Sequence, residues 1–316
     1  MKALLFKNIL KITDIPKPVR KDGEALVKVI LAGICNTDLE ITKGYMNFSG
    51  VPGHEFVGIV EDCDSKGFLN KRVVGEINSG CGKCDLCMEG DPRHCKDRSV
   101  LGIFRKNGAF AEYLILPEEN LLTIPDSISD IKAVFTEPAA AALQIFDDNS
   151  LPENSRIGII GDGKLGLLIS IIAKTMGFKP CLIGRNKKKL DLAEKWGIHT
   201  GNNIKNRYPE TFKNVIECSG NPSGLELAMH ITEPKGKIIL KSTYRSDKCI
   251  DLSPIVINEI SLIGSRCGRF EPVMDILGNL EIDLEDMITE IFEIEDGLAA
   301  FKKAEHKDSL KVLLKI

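Results

Sequence analysis

The sequence predicts an α/β protein with two domains, a β-rich domain followed by a doubly wound parallel sheet covered by helices. Three observations lead to this prediction. The chain has 316 residues, which is enough for about two domains. Short β-branched runs separated by turns fill the region up to residue 137. From residue 156 onwards, short apolar strands alternate with helices, which is typical of a parallel sheet.

The composition is that of an ordinary soluble protein. The chain is 43% hydrophobic and 28% charged, with a formal net charge of -3, so neither nucleic acid nor an anionic membrane is expected as a partner. The longest apolar run, residues 165–173, is far shorter than the ~20 residues that span a bilayer. Lys7 and Lys11 interrupt any signal-peptide core. We therefore expect a cytoplasmic protein.

In the first domain, short runs rich in β-branched residues predict strands, and turn signals such as Asp22-Gly23 and Pro52-Gly53 separate them. The predicted strands cover residues 2–6, 25–31, 56–61 and 72–75.

In the second domain, continuous apolar strands alternate with helices. The first strand is followed by a glycine turn and a long apolar helix, and the second strand by an amphipathic helix. The predicted strands cover residues 156–160, 181–183, 214–217, 236–240 and 261–263, and the two helices end near residues 175 and 196. The last forty or so residues carry no motif.

Four of the ten cysteines crowd into one short lobe, at about residues 79–97. They follow the pattern Cys81-x2-Cys84-x2-Cys87-x7-Cys95, and clustered thiols in a cytosolic chain indicate a metal rather than disulfides. Four thiolates leave no open coordination position on a zinc ion, so this site would be structural. An iron–sulfur cluster is disfavoured because the last spacing is too long, and a nucleic-acid-binding zinc ribbon is disfavoured by the acidic balance.

A second set of candidate ligands lies upstream. Cys35 and His54, with the carboxylates of Asp38 and Glu55, offer the ligand types of a catalytic zinc that keeps one position open. Asp38 would orient the ring of His54. A further carboxylate, Glu137, stands just before Pro138 at the domain junction.

A glycine-rich loop follows the first strand of the second domain and opens the long helix. It reads Gly161-Asp162-Gly163-Lys164-Leu165-Gly166, a G-x-G-x-x-G pattern in the context that dinucleotide binding requires. Gly161 would allow the tight turn, Gly163 the approach of the pyrophosphate, and Gly166 the close packing of helix on strand. The helix N-terminus would face the phosphates with its positive end.

Cofactor specificity is set after the next strand, where an NAD enzyme usually carries an acidic residue. Here the strand is followed by Gly184-Arg185-Asn186 and three lysines, without a carboxylate. Arg185 could bind the phosphate of NADP bidentately, so we expect NADP(H) to be preferred over NAD(H). The ends of later strands, which include Ser219, Lys241 and Ser242, fall where the nicotinamide half should rest.

These residues together resemble the zinc-containing medium-chain dehydrogenase/reductase family, which includes alcohol, sorbitol, threonine and glucose dehydrogenases. The motifs occur in the family's order over essentially the whole chain. The resemblance implies a GroES-like catalytic domain at residues 1–137, a Rossmann domain at 138–268, and a segment, 269–316, that returns to the catalytic domain. It also implies two zinc ions per chain and a homodimer or homotetramer.

The resemblance further assigns roles around the catalytic zinc. Cys35 and His54 look like ligands, and Thr37 looks like the hydroxyl that relays a proton. The third ligand is either Glu137, where other members supply a cysteine, or Glu55, which ligates zinc in polyol-type members. Departures from the family pattern, such as Glu40 where a histidine is common, leave the end of the proton relay undefined.

The sequence thus predicts a zinc-dependent dehydrogenase that moves a hydride between an alcohol or polyol and a nicotinamide cofactor. Two alternatives remain. One is a zinc-free quinone or enone reductase of the same superfamily, which Cys35, His54 and Glu137 argue against. The other is a non-enzymatic, NADPH-binding zinc protein. Fold-level analogy does not identify the substrate, although a carboxylate among the zinc ligands mildly favours polyols or sugar-derived alcohols.

Overall fold

The structure is a computed structural model that describes residues 1–149, 151–202, 211–243 and 249–316. These residues divide into two compact units. The first comprises residues 1–137, 270–278 and 283–316, and the second comprises residues 138–269 and 279–282. The C-terminal part of the chain therefore belongs largely to the same unit as the N-terminal part.

The elements are numbered in chain order. Within the described residues, the strands are β1 Lys2–Lys7, β2 Ile9–Asp14, β3 Glu24–Ile34, β4 Glu55–Asp62, β5 Arg72–Gly75, β6 Asn78–Ser79, β7 Ser99–Leu101, β8 Arg105–Lys106, β9 Tyr113–Pro117, β10 Leu121–Thr123, β11 Arg156–Ile160, β12 Lys179–Gly184, β13 His199–Asn202, β14 Phe212–Glu217, β15 Thr232–Leu240, β16 Ser261–Gly264, β17 Ile288–Glu293 and β18 Lys311–Lys315. The α-helices are α1 Asn36–Thr42, α2 Asp85–Met88, α3 Asp130–Ala133, α4 Thr136–Asn149, α5 Lys164–Thr175, α6 Lys187–Lys195, α7 Pro222–Ile231, α8 Ser253–Ile257, α9 Glu271–Gly278 and α10 Gly297–Glu305.

The first unit is built on a seven-stranded sheet with the order β10-β5-β4-β3-β18-β17, in which β9 also pairs with β3. Strand β3 is long enough to pair with β9 through its first half and with β18 through its second half. It is almost continuously buried, as expected for the central strand of a sheet. Two small sheets, β1-β2 and β6-β7-β8, complete this unit.

The second unit is a parallel sheet with the order β13-β12-β11-β14-β15-β16. Its inner strands are short and apolar; β11, for example, is buried at every position after Arg156. Helix α5 buries eight of its residues, from Gly166 to Ala173, which explains its unbroken apolar run. The fold class predicted from the sequence, a β-rich domain with a doubly wound parallel sheet, is confirmed.

The C-terminal strands complete the sheet of the first unit. Strand β18 pairs antiparallel with β3, placing Val312 opposite Ile34, and parallel with β17. This register sets Lys311, the residue before Val312, beside the end of β3, where Cys35 follows. None of the described helices combines the length and the hydrophobicity that crossing a bilayer would require.

Candidate functional site

Cys35 stands at the junction between a strand and a helix. It follows the last residue of β3 and caps the N-terminus of α1 with an extended backbone. The carboxylate of Asp38, three residues into the cap, accepts a hydrogen bond from the Cys35 N–H at 2.8 Å, so the pair forms a capping box. Because the helix start is fixed in this way, the Cys35 thiol has a defined position.

Asp38 also ties Cys35 to the neighbouring strand. It is completely buried, and its second oxygen accepts a hydrogen bond from the Gly53 N–H at 3.1 Å. The same oxygen lies 3.4 Å from Nδ1 of His54, just before β4. This contact is too poorly aligned to count as a hydrogen bond, but it directs Nδ1 towards the carboxylate and leaves Nε2 for another partner.

The electrostatics of His54 follow from these neighbours. Burial by itself would lower the pKa of His54, but the Asp38 carboxylate and the Cys35 sulfur outweigh it and raise the pKa well above its ordinary value. The pocket around this ring therefore favours a positive charge. A metal cation bound at the ring nitrogen would supply such a charge.

The predicted ligands come together in part. Side-chain ligand atoms of Cys35, His54 and Glu55 all lie within 4.8 Å of one another. The Thr37 hydroxyl lies 3.9 Å from the Cys35 sulfur, at the edge of this group. Glu137, in the first turn of α4, does not belong to the group, although its charge acts on the nearby Lys311.

Lys311 is a buried cation that the sequence analysis did not identify. Its ammonium pairs with Oε2 of Glu55, both side chains being almost fully buried, and it lies 5.5 Å from the ring centre of Phe135. Burial would lower the pKa of Lys311, but Glu55, Cys35 and Glu137 outweigh it and raise the pKa. The other Glu55 oxygen, Oε1, is buried and makes no hydrogen bond to the described residues.

The four lobe cysteines also converge. The sulfurs of Cys81, Cys84, Cys87 and Cys95 lie within 4.8 Å of one another, and Cys95 is buried. Backbone N–H groups of Lys83 and Cys84 lower the pKa of Cys81 to about 6. Despite the Cys87 N–H, the Cys87 thiol and burial raise the pKa of Cys84 to about 11, so of these two thiols it is Cys81 that favours the thiolate form a metal requires. The described residues contain just these two groups of candidate metal ligands.

The glycine loop joins β11 to α5 in the second unit. Gly161 adopts a φ of 122°, and a side chain there would come within 2.8 Å of the Ser219 backbone nitrogen, so this turn requires glycine. Gly163 caps α5 and has open space around it. Lys164 and Leu165 are the first residues of α5, and Gly166 packs directly on the carbonyl of Gly161.

The end of β12 differs from the expectation in one respect. A carboxylate is present there, supplied by Asp162 of the glycine loop: its Oδ2 accepts hydrogen bonds from the N–H groups of Arg185 and Asn186, at 2.5 and 2.6 Å. The premise that this position lacks an acid was therefore wrong, because a residue from the neighbouring strand's loop fills it. The preference for NADP(H), based partly on that premise, stays a prediction. The exposed Arg185 guanidinium lies 3.3 Å from the Ser223 hydroxyl.

Ser219 and Ser242 are brought together at the ends of β14 and β15. The Gly220 N–H donates to the Ser242 hydroxyl at 2.8 Å, and the Ser219 hydroxyl donates to the buried carboxylate of Glu217. Lys241 has its ammonium turned to the end of β16, where it donates to the Ser265 hydroxyl and the Arg266 carbonyl. A contact from this ammonium to the cofactor or substrate would compete with these bonds.

Sequence reasoning missed three residues of these sites. Glu217 is the last residue of the buried strand β14, and a carboxylate at such a strand end is a signal that could have pointed to it. Asp162 lies between two glycines of the loop, at a position to which the G-x-G-x-x-G pattern assigns no role. Lys311 begins an otherwise apolar strand, and only the implied return of the C-terminal segment could have pointed to it.

Two family models match the chain. The model described as "Alcohol dehydrogenase GroES-like domain" matches residues 21–126, and "Zinc-binding dehydrogenase" matches residues 165–280. Both matches lie in the order that the motifs predicted.

Curated relatives and solved structures extend over nearly the whole chain. An L-threonine 3-dehydrogenase of Pseudoalteromonas translucida is 30% identical and is aligned over 96% of this chain and 95% of its own length. A sorbitol dehydrogenase of Halalkalibacterium halodurans is 27% identical over 95% of this chain and 93% of its own. A short chain alcohol dehydrogenase (rspB) from E. coli CFT073, solved with NADH, has a TM-score of 0.92 and 28% identity, and the alignment covers 100% of this chain and 99% of that one.

Proposed function

Because the chain belongs to the zinc-containing medium-chain dehydrogenase/reductase family, we propose that it is a zinc-dependent dehydrogenase. It transfers a hydride between an alcohol or polyol, or the matching aldehyde or ketone, and a nicotinamide cofactor. The single observation that carries the proposal is the convergence of a thiol, an imidazole and a carboxylate from Cys35, His54 and Glu55. Two of the curated relatives, named L-threonine 3-dehydrogenase and sorbitol dehydrogenase, support the NAD(P)-linked alcohol or polyol class.

The donor set fits a catalytic zinc. Sulfur, nitrogen and carboxylate oxygen are the ligands that zinc takes in proteins, and the unpartnered Oε1 of Glu55 is a buried acceptor suited to a cation. Cys35 and His54 would hold the ion with Glu55 as the third ligand, and Glu137 is the alternative. When bound, zinc supplies a Lewis acid that polarises an alcohol or carbonyl oxygen.

The surrounding residues do the remaining work. Asp38, whose carboxylate lies 3.4 Å from Nδ1 of His54, would orient the ring, and Lys311 would balance the negative charge that Cys35 and Glu55 bring to a buried place. The hydroxyl of Thr37 can accept and pass on a proton because it lies beside the Cys35 sulfur. The four lobe cysteines would hold a second, structural zinc, since a complete set of thiolates leaves no position for substrate.

The nicotinamide cofactor would bind along the glycine loop. The first turn of α5 presents its N–H groups and the positive end of the helix to the pyrophosphate, next to the open space at Gly163. Arg185 supports a preference for NADP(H), since an exposed guanidinium at this place can take a phosphate. Ser219 and Ser242, held near each other, would face the nicotinamide half.

The remaining expectations are proposals of the same kind. The likeness to threonine and sorbitol dehydrogenases, together with the carboxylate ligand, supports a polyol or a related secondary alcohol as substrate. Four clustered thiols bind metal only while reduced, which supports a cytoplasmic location. A homodimer or homotetramer is proposed as the assembly.

The function is tested with a panel of alcohols, polyols and their carbonyl counterparts, using both NADP(H) and NAD(H) and following the absorbance of the reduced nicotinamide. The Cys35→Ser variant should lose at least about a hundredfold in kcat/KM, whereas Cys63→Ser, which changes a cysteine in a turn beyond β4, should retain it. Full activity in Cys35→Ser would contradict zinc catalysis. A wild-type protein that binds cofactor but turns over nothing on the panel would favour the non-enzymatic alternative.

A further inference from the structure

The end of β12 holds a carboxylate that comes from a different strand. The Asp162 side chain extends from the glycine loop to the turn after Gly184, where it accepts hydrogen bonds from two successive backbone N–H groups. A side chain on residue 184 would come within 2.6 Å of the Asp162 carboxyl carbon. Gly184 is therefore what makes room for the acid, and Asp162 occupies the space where an acidic residue 184 would place its own side chain.

The turn that Asp162 occupies is otherwise suited to an anion. Its two N–H groups belong to Arg185 and Asn186, directly before the nine-residue helix α6, whose N-terminus Asn186 caps. Helix N-termini favour negative charge, and Arg185, Lys187 and Lys188 add exposed cations. A phosphate group arriving at this turn would meet these donors already engaged by a carboxylate. It would also meet the negative charge of that carboxylate.

We propose that Asp162 is a specificity-determining residue for the cofactor, which limits the preference for NADP(H) by competing with the adenosine 2′-phosphate for this turn. The proposal rests on the proposed function only in assuming that a nicotinamide dinucleotide binds at the glycine loop. NAD(H) carries a ribose hydroxyl at that position, and a hydroxyl can donate a hydrogen bond to a carboxylate. Arg185 thus favours NADP(H) and Asp162 favours NAD(H), so the two residues act in opposite directions on the same choice.

The Asp162→Asn variant isolates the charge, because the amide keeps an oxygen that can accept from the Arg185 and Asn186 N–H groups. Dissociation constants for NADPH and NADH are measured from nicotinamide fluorescence, without any substrate and in a phosphate-free buffer. The preference for NADPH over NADH should rise at least about tenfold, because one like-charge repulsion is removed. Glu153→Gln is the control: it removes one exposed charge just before β11 begins, at the opposite end of the parallel strands from this turn, and should change the preference less than about twofold.

Binding of 2′,5′-ADP and 5′-AMP, measured by calorimetry on the same proteins, places the effect at the adenosine end. The 2′-phosphorylated fragment should gain affinity in Asp162→Asn and the other should not. If Asp162→Asn folds poorly, Asp162→Ser provides a second uncharged variant with the same expectation. An unchanged ratio in a stably folded variant, or an equal loss for both cofactors, would overturn the role of Asp162.

The outcomes separate this inference from the proposed function. A wild-type protein that prefers NADH would contradict the proposed NADP(H) preference. A rise in the preference for NADPH over NADH in Asp162→Asn would still support the role of Asp162 in specificity. If the protein is a dehydrogenase but its preference for NADPH over NADH does not change when residue 162 is substituted, the inference is overturned and the proposed function stands. Wild-type protein that binds neither dinucleotide would overturn both.

Discussion

Lys311 brings a positive charge into a buried site that already holds several acids. It is the partner of Glu55, 256 positions away in the chain, and both side chains are screened from water. Desolvating such a pair is costly, but removing one member alone costs more because it leaves an uncompensated charge. The lysine is therefore expected to matter for stability as well as for the charge balance of the metal site.

Strand β18 offers a matched comparison for this ion pair. Lys311→Met should lower the free energy of unfolding by about 3–5 kcal/mol, the typical cost of breaking a buried pair. Lys315→Met, also on β18, breaks an exposed pair with Glu293 of the neighbouring strand β17 and should cost no more than about 1 kcal/mol. Urea denaturation of both variants measures the difference, and the double variant Lys311→Met/Glu55→Gln should recover part of the loss. Equal effects of the two lysines would contradict a buried, charge-balancing role.

At the scale of elements, the cysteine lobe requires Gly80 because the Cys87 side chain packs closely against it. A side chain on residue 80 would lie 2.5 Å from the Cys87 sulfur and 2.8 Å from Cβ of Pro92, three residues before Cys95. Gly80→Ala should therefore displace Cys87 from the thiol cluster and destabilise the protein by about 1–3 kcal/mol, as overpacking usually does. Metal analysis after mild chelation should show about one zinc lost per chain. Gly67→Ala is the control and should lose none, because a side chain at this exposed turn would make only an ordinary contact, 3.7 Å from the Ser65 hydroxyl.

The ends of β14 and β15 are joined through Glu217. This carboxylate is fully buried and accepts hydrogen bonds from the backbone and hydroxyl of Ser219, with a further contribution from Ser242. Burial raises its pKa above the ordinary 4.5 despite these bonds, and raises that of the adjacent Cys218 thiol as well. The folded state therefore holds a proton on Glu217 more tightly than the unfolded chain does.

This shift predicts a pH dependence of stability. A carboxyl group whose pKa is higher in the folded protein than in the unfolded chain stabilises the fold fully at a pH below the pKa of the unfolded chain. That stabilisation is lost as the pH rises through the pKa of the folded protein. Glu217→Gln has no such loss, so its melting temperature relative to wild type should increase as the pH rises from about 4 to about 8. Glu259→Gln, on an exposed side chain, is the control. A difference in melting temperature that stays flat between these pH values would count against a titrating Glu217.

At the scale of the whole molecule, the second unit presents an open edge. In the described part of the chain, β16 is the last strand of the parallel sheet, and its Leu262 is 39% exposed. Val256 and Ile257 of α8, next to this strand in the chain, are 78% and 76% exposed. Exposed apolar residues beside a free strand edge are suited to pairing with another strand, and a second copy related by twofold symmetry is the simplest partner.

This edge predicts how the chain assembles. Light scattering should give at least a dimer for the wild type, and the Val256→Glu/Ile257→Glu double variant should weaken association because two charges would be buried in the interface. Ile9→Glu changes an equally exposed residue of β2 in the first unit and should leave the assembly intact. A double variant with unchanged mass would place the interface elsewhere.

Apolar runs bounded by turn signals in the sequence predicted the strands that are buried along most of their length. Strands β5 and β11 begin and end at the predicted residues because their apolar runs are bounded by turn signals. The half-exposed β2 was missed since its alternation is weak, and β17 and β18 were missed since pairing partners distant in sequence create them. A sheet assembled from both ends of the chain has no local signature at its C-terminal strands.

The same limit applies to the sites. Spacing predicted the four-cysteine group, whereas the pairing of Cys35 with His54 followed from their ligand types and from the family resemblance; both groups of ligand atoms come together. The side-chain contacts of Asp162 and Lys311 depend on the tertiary structure, so no motif contains them. Asp162 and Lys311 contribute charge at the cofactor loop and at the metal site, but neither belongs to the glycine or ligand motif that identifies the site.

The proposed function requires that Cys35 and His54 hold a catalytic zinc. An anomalous difference map collected at the zinc absorption edge from crystals of the purified protein tests it most directly. We expect two peaks per chain, one among the lobe cysteines and one about 2.3 Å from the Cys35 sulfur and about 2.0–2.1 Å from a His54 nitrogen. The second peak should vanish in Cys35→Ser while the first remains. A protein that oxidises alcohols with a zinc peak in the lobe alone would contradict zinc catalysis at Cys35 and His54.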